Sequence, residues 1–259
     1  MTSVAPTRNS ELETRNAHLR LDALDPLPMD AEWPSLRSFT GRVDIHSLAA
    51  FFVRESKVRG AYFEFGVASG RSAISAIRAN RRYNPETVAP FLLFDSFEGL
   101  PELSGRDQGS EQFKPGDFAF SVDQVVEKLE AHQVYDENTV HLVPGWFENT
   151  LPNFPTRQLG LDKAAIVHLD MDLYSSCVTV LNFIEPFLQV GTVMLFDDWN
   201  AFSASNHKGE RAATAEWLKR NPHWALNEYA SYGWHGRVFI VDRGIAKPTN
   251  SQRPELSPA

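Results

Sequence analysis

Residues 167–174 read VHLDMDLY, and residues 196–199 read FDDW. Each is an apolar run that ends in two carboxylates, and unpaired charge is too costly to lie inside a buried strand. In an open parallel sheet, ligands bind at the carboxyl ends of the strands. Four Asp residues at two such ends indicate a hard divalent cation with oxygen ligands, catalytic carboxylates, or both. Helix N-caps are the alternative, since Asp is a favoured cap residue.

Composition restricts the class of protein. The 259 residues are 42% hydrophobic and 22% charged, as in a globular core with a solvated surface. The net charge of -8 argues against binding to a nucleic acid backbone. The single Cys177 excludes an intramolecular disulfide and fits a reducing cytosol. No apolar run approaches the roughly 20 residues of a membrane span, and no secretory signal precedes residue 20. We therefore expect a cytoplasmic protein without a nucleic acid or membrane partner.

Strand-like and helix-like segments alternate along the chain, which predicts an α/β fold. The fold class is a doubly wound, seven-stranded, mostly parallel sheet with an antiparallel last strand. Residues 230–236 join the last two strands and are too few for a crossover helix, so these strands form a hairpin. Ser121 is a predicted helix N-cap. The predicted strands are 61–65, 91–94, 139–143, 164–169, 191–196, 224–229 and 237–241, and the predicted helices are 70–82, 121–132, 174–188 and 209–220.

One domain accounts for most of the chain. Residues 1–20 and 244–259 are rich in Pro, Ser, Thr and charge, which predicts a partly disordered N-terminus and a flexible tail. Residues 21–243 form the domain, and its N-terminal part, to residue 59, is predicted to form helices that cover the site. Association into a homo-oligomer, a dimer or higher, is expected through these helices.

A glycine-containing turn follows the first strand. Residues 64–72 read EFGVASGRS, and Gly66 and Gly70 let the backbone turn sharply and approach a ligand. The spacing matches neither a dinucleotide fingerprint nor a phosphate loop. Glu64 suits a ligand with an ammonium group, and Asp95, at the tip of the second strand, suits ribose hydroxyls. Together they indicate S-adenosylmethionine, although an ordinary tight turn and a helix cap remain alternatives.

At these residues the chain resembles a class I S-adenosylmethionine-dependent methyltransferase with a Rossmann-like fold. More narrowly, it resembles the macrocin O-methyltransferase family of natural-product sugar methyltransferases. The motifs that carry the resemblance are EFGV at 64–67, DSFEGLP at 95–101, PGWFENTLP at 144–152, HLDMDLY at 168–174 and FDD at 196–198.

The resemblance implies a role for each motif. A divalent cation, usually Mg²⁺, would be bound by Asp170, Asp197 and Asp198, and Asp172 falls at the position of a proposed general base. This makes Asp172 and Asp170 the predicted catalytic residues. The methyl donor would be lined by Glu64, Gly66, Ser72, Asp95 and Ser96, with Gly145, Trp146 and Phe147 near its adenine. Glu98 would face the acceptor.

The chain departs from the family pattern after Asp198, where Trp199 stands in place of the usual Tyr. Trp199 and His207 are further candidate acceptor contacts, by stacking and from a predicted loop. Trp234 could line the acceptor pocket in the same way, and His207 or His235 could also serve as the base. The alternatives are a packing role for the tryptophans and a solvated loop position for the histidines.

The predicted function is a magnesium-dependent O-methyltransferase acting on a small-molecule acceptor, a sugar or a sugar-bearing natural product. A vicinal diol can chelate the cation while a carboxylate takes the proton. A catechol chelates equally well, so a catechol-type O-methyltransferase is one alternative, and a sugar N-methyltransferase is another. A catalytically inert nucleotide-binding module is a third, although three crowded acids without a cation would repel one another.

Overall fold

The computed structural model describes residues 44–157 and 159–244, all within one compact unit. The strands are β1 (Gly60–Phe65), β2 (Val88–Asp95), β3 (Val140–Pro144), β4 (Ala164–Leu169), β5 (Val193–Phe196), β6 (Trp224–Tyr232) and β7 (Gly236–Arg243). They form one seven-stranded sheet in the order β3-β2-β1-β4-β5-β7-β6. The predicted fold class is therefore confirmed.

The central strands are parallel and buried on both faces, as their continuous apolar sequences predict. Their ends are in register: Phe65 pairs with Leu169, and Leu169 pairs with Phe196. The ladder continues one residue further, because Asp170 N donates to Phe65 O at 2.8 Å and Asp197 N donates to Leu169 O at 2.8 Å. The residues that follow β1, β4 and β5 therefore meet at one edge of the sheet.

The chain leaves the centre of the sheet in two directions. From β1 it runs outward through β2 to β3, and it then returns to β4 beside β1 before continuing to β5. Such a reversal of strand order opens a crevice beyond the carboxyl ends of β1 and β4. The fold thus places a cavity next to the acids that end β4 and β5.

Helices connect the strands, and most begin where the sequence predicts. They are α1 (Ile45–Glu55), α2 (Arg71–Tyr83), α3 (Val122–Ala131), α4 (Phe147–Thr150), α5 (Tyr174–Ile184), α6 (Ala201–Ala204) and α7 (Gly209–Arg220). The predicted Ser121 cap is confirmed: its hydroxyl accepts from Gln124 N, and the Gln124 side chain accepts from Ser121 N. α5 ends earlier than predicted, because Pro186 lies in a 3₁₀ turn after Ile184.

The predicted hairpin is confirmed as β6 and β7, which pair antiparallel. β7 also pairs antiparallel with β5, so it lies between β5 and β6. β6 is therefore the edge strand on this side of the sheet. The turn between β6 and β7, Gly233 to His235, lies at the same end of the sheet as the acids of β5.

Several predictions concern residues outside the described ranges. These are the partly disordered residues 1–20, the helices and oligomer contacts expected of residues 21–43, and the tail after residue 244. α1 is the described part of the predicted N-terminal helical segment. Within residues 44–157 and 159–244, no helix is both long enough and apolar enough to cross a membrane.

Candidate active site

A cavity of about 610 Å³ lies at the carboxyl ends of the central strands. Its size is that of a small-molecule binding site. The predicted site residues on its wall are Gly66, Asp95, Ser96, Trp146, Phe147, Asp170, Asp172, Asp197 and Asp198. The donor turn and the acidic strand ends, which are distant in sequence, therefore share one cavity.

Gly66 makes the close contact between these two parts. Its φ is +87°, and a Cβ at this position would lie 1.7 Å from the carbonyl oxygen of Asp170. Gly66 N also donates to Phe94 O at 2.9 Å. Only glycine combines this backbone conformation with this approach, so the β1 turn and the first acid of the β4 end are fixed together.

Asp95 organises the glycine turn. One carboxylate oxygen accepts from Val67 N at 2.7 Å and Ala68 N at 2.9 Å, and the other accepts from Phe97 N at 2.7 Å. The oxygen that accepts from Phe97 N has a further lone pair, so the Asp95 carboxylate, which lines the cavity, keeps acceptor capacity. The geometry is thus compatible with the predicted contact to ribose hydroxyls and adds a structural role.

Glu64 and Ser72, which are predicted to line the methyl donor, are not on the wall of this cavity. Glu64 is fully buried, and its oxygens accept from Tyr62 Oη at 2.5 Å and Ser72 Oγ at 2.6 Å. Burial raises the pKa of Glu64, but His168 and these two hydrogen bonds outweigh it, and the pKa is lowered overall. Glu64 is therefore an ionised, internally satisfied carboxylate beneath the turn.

The four acids of the strand ends form another part of the cavity wall. Asp170, Asp172 and Asp198 each offer an oxygen within 4.8 Å of the others, and Asp197 offers one within the same distance of Asp170. Asp197 and Asp198 also approach each other this closely in a third group, with His235. The structure therefore brings together the three predicted metal ligands and the predicted base Asp172.

The pKa values of this acidic cluster, Asp170, Asp172, Asp197 and Asp198, reflect burial and repulsion. Burial and the charges of Asp197 and Asp198 raise the pKa of Asp170 well above its usual range. Burial and neighbouring Asp198 do the same for Asp172, and burial and Asp197 raise the pKa of Asp198 to about 6. Oδ2 of Asp198 is buried and has no hydrogen-bond partner among the described residues. An oxygen without a hydrogen-bond donor, among carboxylates that repel one another, suits a hard divalent cation.

His168 lies beneath the acidic cluster inside β4. It is buried, and its two ring nitrogens lie 3.9 Å from a Glu64 oxygen and 4.0 Å from an Asp197 oxygen. A bond to a backbone carbonyl, the expectation for a core histidine, is not seen among the described residues. Burial lowers the pKa of His168, but Glu64 and Asp197 outweigh it, and the pKa is raised overall. His168 therefore lies between Glu64 and Asp197, and neither of its ring nitrogens has a hydrogen-bond partner among the described residues.

Glu210, which is not among the predicted site residues, and His235, a further candidate from the sequence, support the end of β5. The carboxylate of Glu210, in α7, accepts from Asp198 N at 3.1 Å and is buried. The imidazole Nδ1 of His235 contacts the carbonyl oxygen of Asp197 and lies 3.4 Å from its carboxylate. Sequence offered a signal only for His235, as a histidine in a predicted loop. Nothing in the sequence around Glu210 marks it, because its partner is a backbone amide on another element.

Only some of the residues predicted to contact the adenine or the acceptor lie on the cavity wall. Trp146 and Phe147 line the cavity, whereas Gly145 does not; its φ of +124° turns the chain between them and β3. Glu98 is exposed and is not on the wall. Trp199 packs into the core, with ring centroids 4.7 Å from Phe239 and 5.1 Å from Phe196.

His207 lines a separate hollow beside Arg106 and Glu216. Glu98, Trp199 and His207 therefore do not line this cavity, and their contact with an acceptor stays a prediction.

Sequence comparison with known proteins finds one family model and several curated relatives, all of them O-methyltransferases. The sequence model of the macrocin-O-methyltransferase (TylF) family matches residues 10–221. A Streptomyces olivaceus protein, 8-demethyl-8-(2,3-dimethoxy-alpha-L-rhamnosyl)-tetracenomycin-C 4'-O-methyltransferase, is 32% identical over 183 residues, which are 68% of this chain and 67% of that protein. Two further curated relatives are matched over 54% and 56% of their length.

Solved structures share the fold. The O-methyltransferase NovP superposes with a TM-score of 0.62 at 23% identity, over 78% of this chain and 79% of that one. The calicheamicin methyltransferase CalS11 gives a TM-score of 0.61 at 21% identity, over 92% and 94% of the two chains. CalS11 in its apo form, described as a TDP-rhamnose 3'-O-methyltransferase, gives a TM-score of 0.56 at 23% identity, over 92% and 96% of the two chains.

Proposed function

This chain belongs to the macrocin-O-methyltransferase (TylF) family, and we propose that it transfers a methyl group from S-adenosylmethionine to a hydroxyl of a sugar or glycosylated natural product. The observation that carries the proposal is the contact of Gly66 with Asp170, which unites a donor turn and an acidic cluster around one cavity. The activity named for the Streptomyces olivaceus relative, methylation of a rhamnosyl group, supports a sugar hydroxyl as the acceptor.

The donor would lie along the β1 turn and β2 end of the cavity. Asp95 holds the turn and retains acceptor capacity for the ribose hydroxyls. Trp146 and Phe147, on the cavity wall beyond β3, supply aromatic surface for the adenine. These contacts would direct the sulfonium methyl toward the acidic cluster.

Asp170, Asp197 and Asp198 would hold a divalent cation, which fits their oxygen donors and their mutual repulsion. Such a cation, when bound, would lower the pKa of an acceptor hydroxyl and orient its oxygen. Glu210 and His235 would keep the β5 end in place by contacting the backbone of Asp198 and Asp197.

Asp172 would accept the proton. The hydroxyl oxygen attacks the methyl carbon in line with sulfur, the carbon–sulfur bond breaks with its electron pair going to sulfur, and the hydroxyl proton passes to Asp172. The products are the methyl ether and S-adenosylhomocysteine. Positioning of oxygen, methyl and sulfur in one line is the remaining contribution of the cavity.

The donor is tested by isothermal titration of the full chain. S-adenosylmethionine should bind and NAD should not, because the β1 turn lacks a dinucleotide fingerprint. Mass spectrometry of a panel of glycosides should then detect a product heavier by one methylene. Binding of NAD without binding of S-adenosylmethionine would refute the donor assignment.

The cation is tested with Asp197→Asn. This variant should lose at least about 100-fold in methyl transfer with Mg²⁺ present, since even outer-shell changes cost 10- to 100-fold. Asp162→Asn removes the same charge from an exposed position outside the cavity and should retain wild-type turnover. Equal rates for wild type in Mg²⁺ and Asp197→Asn in EDTA would disprove the metal role.

A further inference from the structure

The β6–β7 hairpin places a tyrosine hydroxyl near the acidic cluster. Tyr232 is the last residue of β6, directly before the turn, and its hydroxyl oxygen is buried. Within the described ranges this oxygen has no hydrogen-bond partner. A buried hydroxyl that makes no hydrogen bond is costly, and most such groups in proteins have a partner. Packing alone therefore does not account for a tyrosine at this position.

The register of the hairpin holds the ring of Tyr232. Tyr232 pairs with Gly236 across the turn. A Cβ at Gly236 would lie 2.4 Å from Cζ of Tyr232, the carbon that bears the hydroxyl, so glycine leaves the room that this end of the ring occupies. The ring of His235 lies edge-on to it, with centroids 6.2 Å apart. Contacts within the hairpin thus determine where the hydroxyl lies.

The Tyr232 hydroxyl lies within electrostatic reach of acids around the β5 end. Burial raises the pKa of Tyr232 well above its usual range, and nearby charges act in the same direction. These charges come, in decreasing order, from Asp197, Asp170 and Glu210. The hydroxyl approaches the Asp197 side chain without meeting the geometry of a hydrogen bond. The last torsion of an aspartate side chain is broad, so the carboxylate can turn to accept from the hydroxyl.

Neither neighbouring histidine holds the Asp197 carboxylate at hydrogen-bond distance. Nε2 of His168 lies 4.0 Å from one oxygen, and Nδ1 of His235 lies 3.4 Å from the other. Both distances exceed the roughly 2.7–3.2 Å of an N–H···O hydrogen bond. His235 contacts the carbonyl oxygen of Asp197 and thereby holds the backbone. The orientation of the carboxylate itself is left to another donor, and Tyr232 is the donor that the hairpin supplies.

We propose that Tyr232 is a positioning residue of the cation site: its hydroxyl donates to the Asp197 carboxylate and fixes the orientation in which that carboxylate binds a divalent cation. Tyr232 is not on the cavity wall, so it acts through Asp197. Ligating carboxylates are held by such outer hydrogen bonds, and the loss of one costs about 10- to 100-fold in metal affinity. This inference rests on the proposed function and extends the account of the same site.

Binding of Mg²⁺ to the full chain tests the inference without turnover. In isothermal titration with S-adenosylhomocysteine present, Tyr232→Phe should weaken the affinity for Mg²⁺ about tenfold, and a separate titration should show unchanged affinity for S-adenosylhomocysteine. Tyr229→Phe makes the same change at an exposed tyrosine of β6, outside the cavity wall, and should bind Mg²⁺ as the wild type does. An unchanged affinity for Mg²⁺ in Tyr232→Phe would overturn the inference, as would a wild type that binds no Mg²⁺.

The thermal stability of Tyr232→Phe separates this role from a structural one. The ring keeps its place over Gly236 in this variant, and the hydroxyl that is removed has no partner among the described residues. The Tm in EDTA should therefore equal or exceed that of the wild type, whereas Mg²⁺ should raise the Tm less than it does in the wild type. A Tm that falls by the same amount in EDTA and in Mg²⁺ would show that the hydroxyl stabilises the fold and not the cation site.

Turnover as a function of Mg²⁺ concentration gives a third measurement. The Mg²⁺ concentration for half-maximal rate should rise about tenfold in Tyr232→Phe, while kcat at saturating Mg²⁺ should stay within about twofold of wild type. A kcat that stays low at every Mg²⁺ concentration would contradict a role in holding the cation. If Tyr232→Phe weakens Mg²⁺ binding but the wild type methylates no acceptor, the inference stands and the proposed function alone is refuted.

Discussion

Gly66 is the residue through which the donor turn and the acidic strand end touch. Gly66→Ala would place a methyl group 1.7 Å from the Asp170 carbonyl oxygen, so β1 and β4 would have to separate locally. We expect loss of S-adenosylmethionine binding and a large drop in thermal stability, measured by titration and calorimetry. Gly109→Ala has a similar φ of +74° with nothing within 4 Å. It should cost only the backbone strain, about 1–2 kcal/mol. Equal effects of the two variants would contradict this role of Gly66.

His46 is a buried histidine in α1 whose charge state affects folding. Its ring lies edge-on to His168, with centroids 5.2 Å apart. Burial and the charge of His168 lower its pKa to about 4, although Asp44, Glu64 and Asp197 act in the opposite direction. The folded state therefore takes up this proton at lower pH than the unfolded chain, for which the pKa is about 6.5.

Stability from neutral His46 is present above pH 6.5 and lost as the pH falls toward 4, because the unfolded chain binds the proton first. The loss is on the order of 3 kcal/mol at most. Denaturant unfolding at several pH values should show a shallower decline in His46→Leu than in wild type. The same substitution at exposed His207 should leave the decline unchanged. A decline in His46→Leu as steep as in wild type would disprove the effect.

At the scale of elements, two helices begin with caps of different origin. α3 is capped within its own sequence by Ser121. α5 is capped by Asp107, which accepts from Tyr174 N at 2.7 Å, Ser175 N at 3.1 Å and Ser175 Oγ at 2.8 Å. Because Asp107 belongs to the loop between β2 and α3, its cap also fixes a loop that supplies cavity wall.

Removing either cap should cost about 1–2 kcal/mol of stability. Asp107→Ala should in addition raise KM for the acceptor, since the loop bearing Leu100, Glu102 and Phe118 is released. Ser121→Ala should leave KM unchanged. Denaturant unfolding measures the loss of stability in the two variants, and steady-state kinetics measures KM for the acceptor. An equal KM in both variants would show that the loop between β2 and α3 keeps its position without the Asp107 cap.

These two caps illustrate what the sequence could predict. The Ser121 cap, the apolar runs of the central strands and the acid pairs are local patterns, so each was predictable. The Asp107 cap and the Glu210 contact join elements far apart in sequence, and no local pattern reports them. An aromatic residue after a strand can face either the cavity or the core, so the sequence alone does not predict that Trp199 packs against Phe196 and Phe239. The hydrogen bonds of Glu64 with Tyr62 and Ser72 likewise became visible only in the fold.

At the scale of the whole molecule, the sheet brings four acids together at a cost in stability. Parallel register forces the ends of β4 and β5 side by side, and the acids there repel one another when no cation is bound. Asp170→Asn should therefore raise the free energy of unfolding in EDTA by about 1–2 kcal/mol, or roughly 2–8 °C in Tm. Differential scanning calorimetry in EDTA measures this rise in Tm, with Asp162→Asn as the matched control. A lower Tm than wild type would show that the acids stabilise the metal-free fold.

The β6–β7 hairpin has a consequence for how such proteins diversify. Its turn carries Trp234 to the cavity, while its strands complete the sheet beyond β5. Trp234 lies on the cavity wall apart from the predicted donor residues between β1 and α4. His235, the next residue of the turn, contacts Asp197 at the β5 end. We therefore expect that exchange of residue 234 alone between relatives alters the preference for the acceptor, whereas exchange of the whole turn also disturbs the acidic cluster.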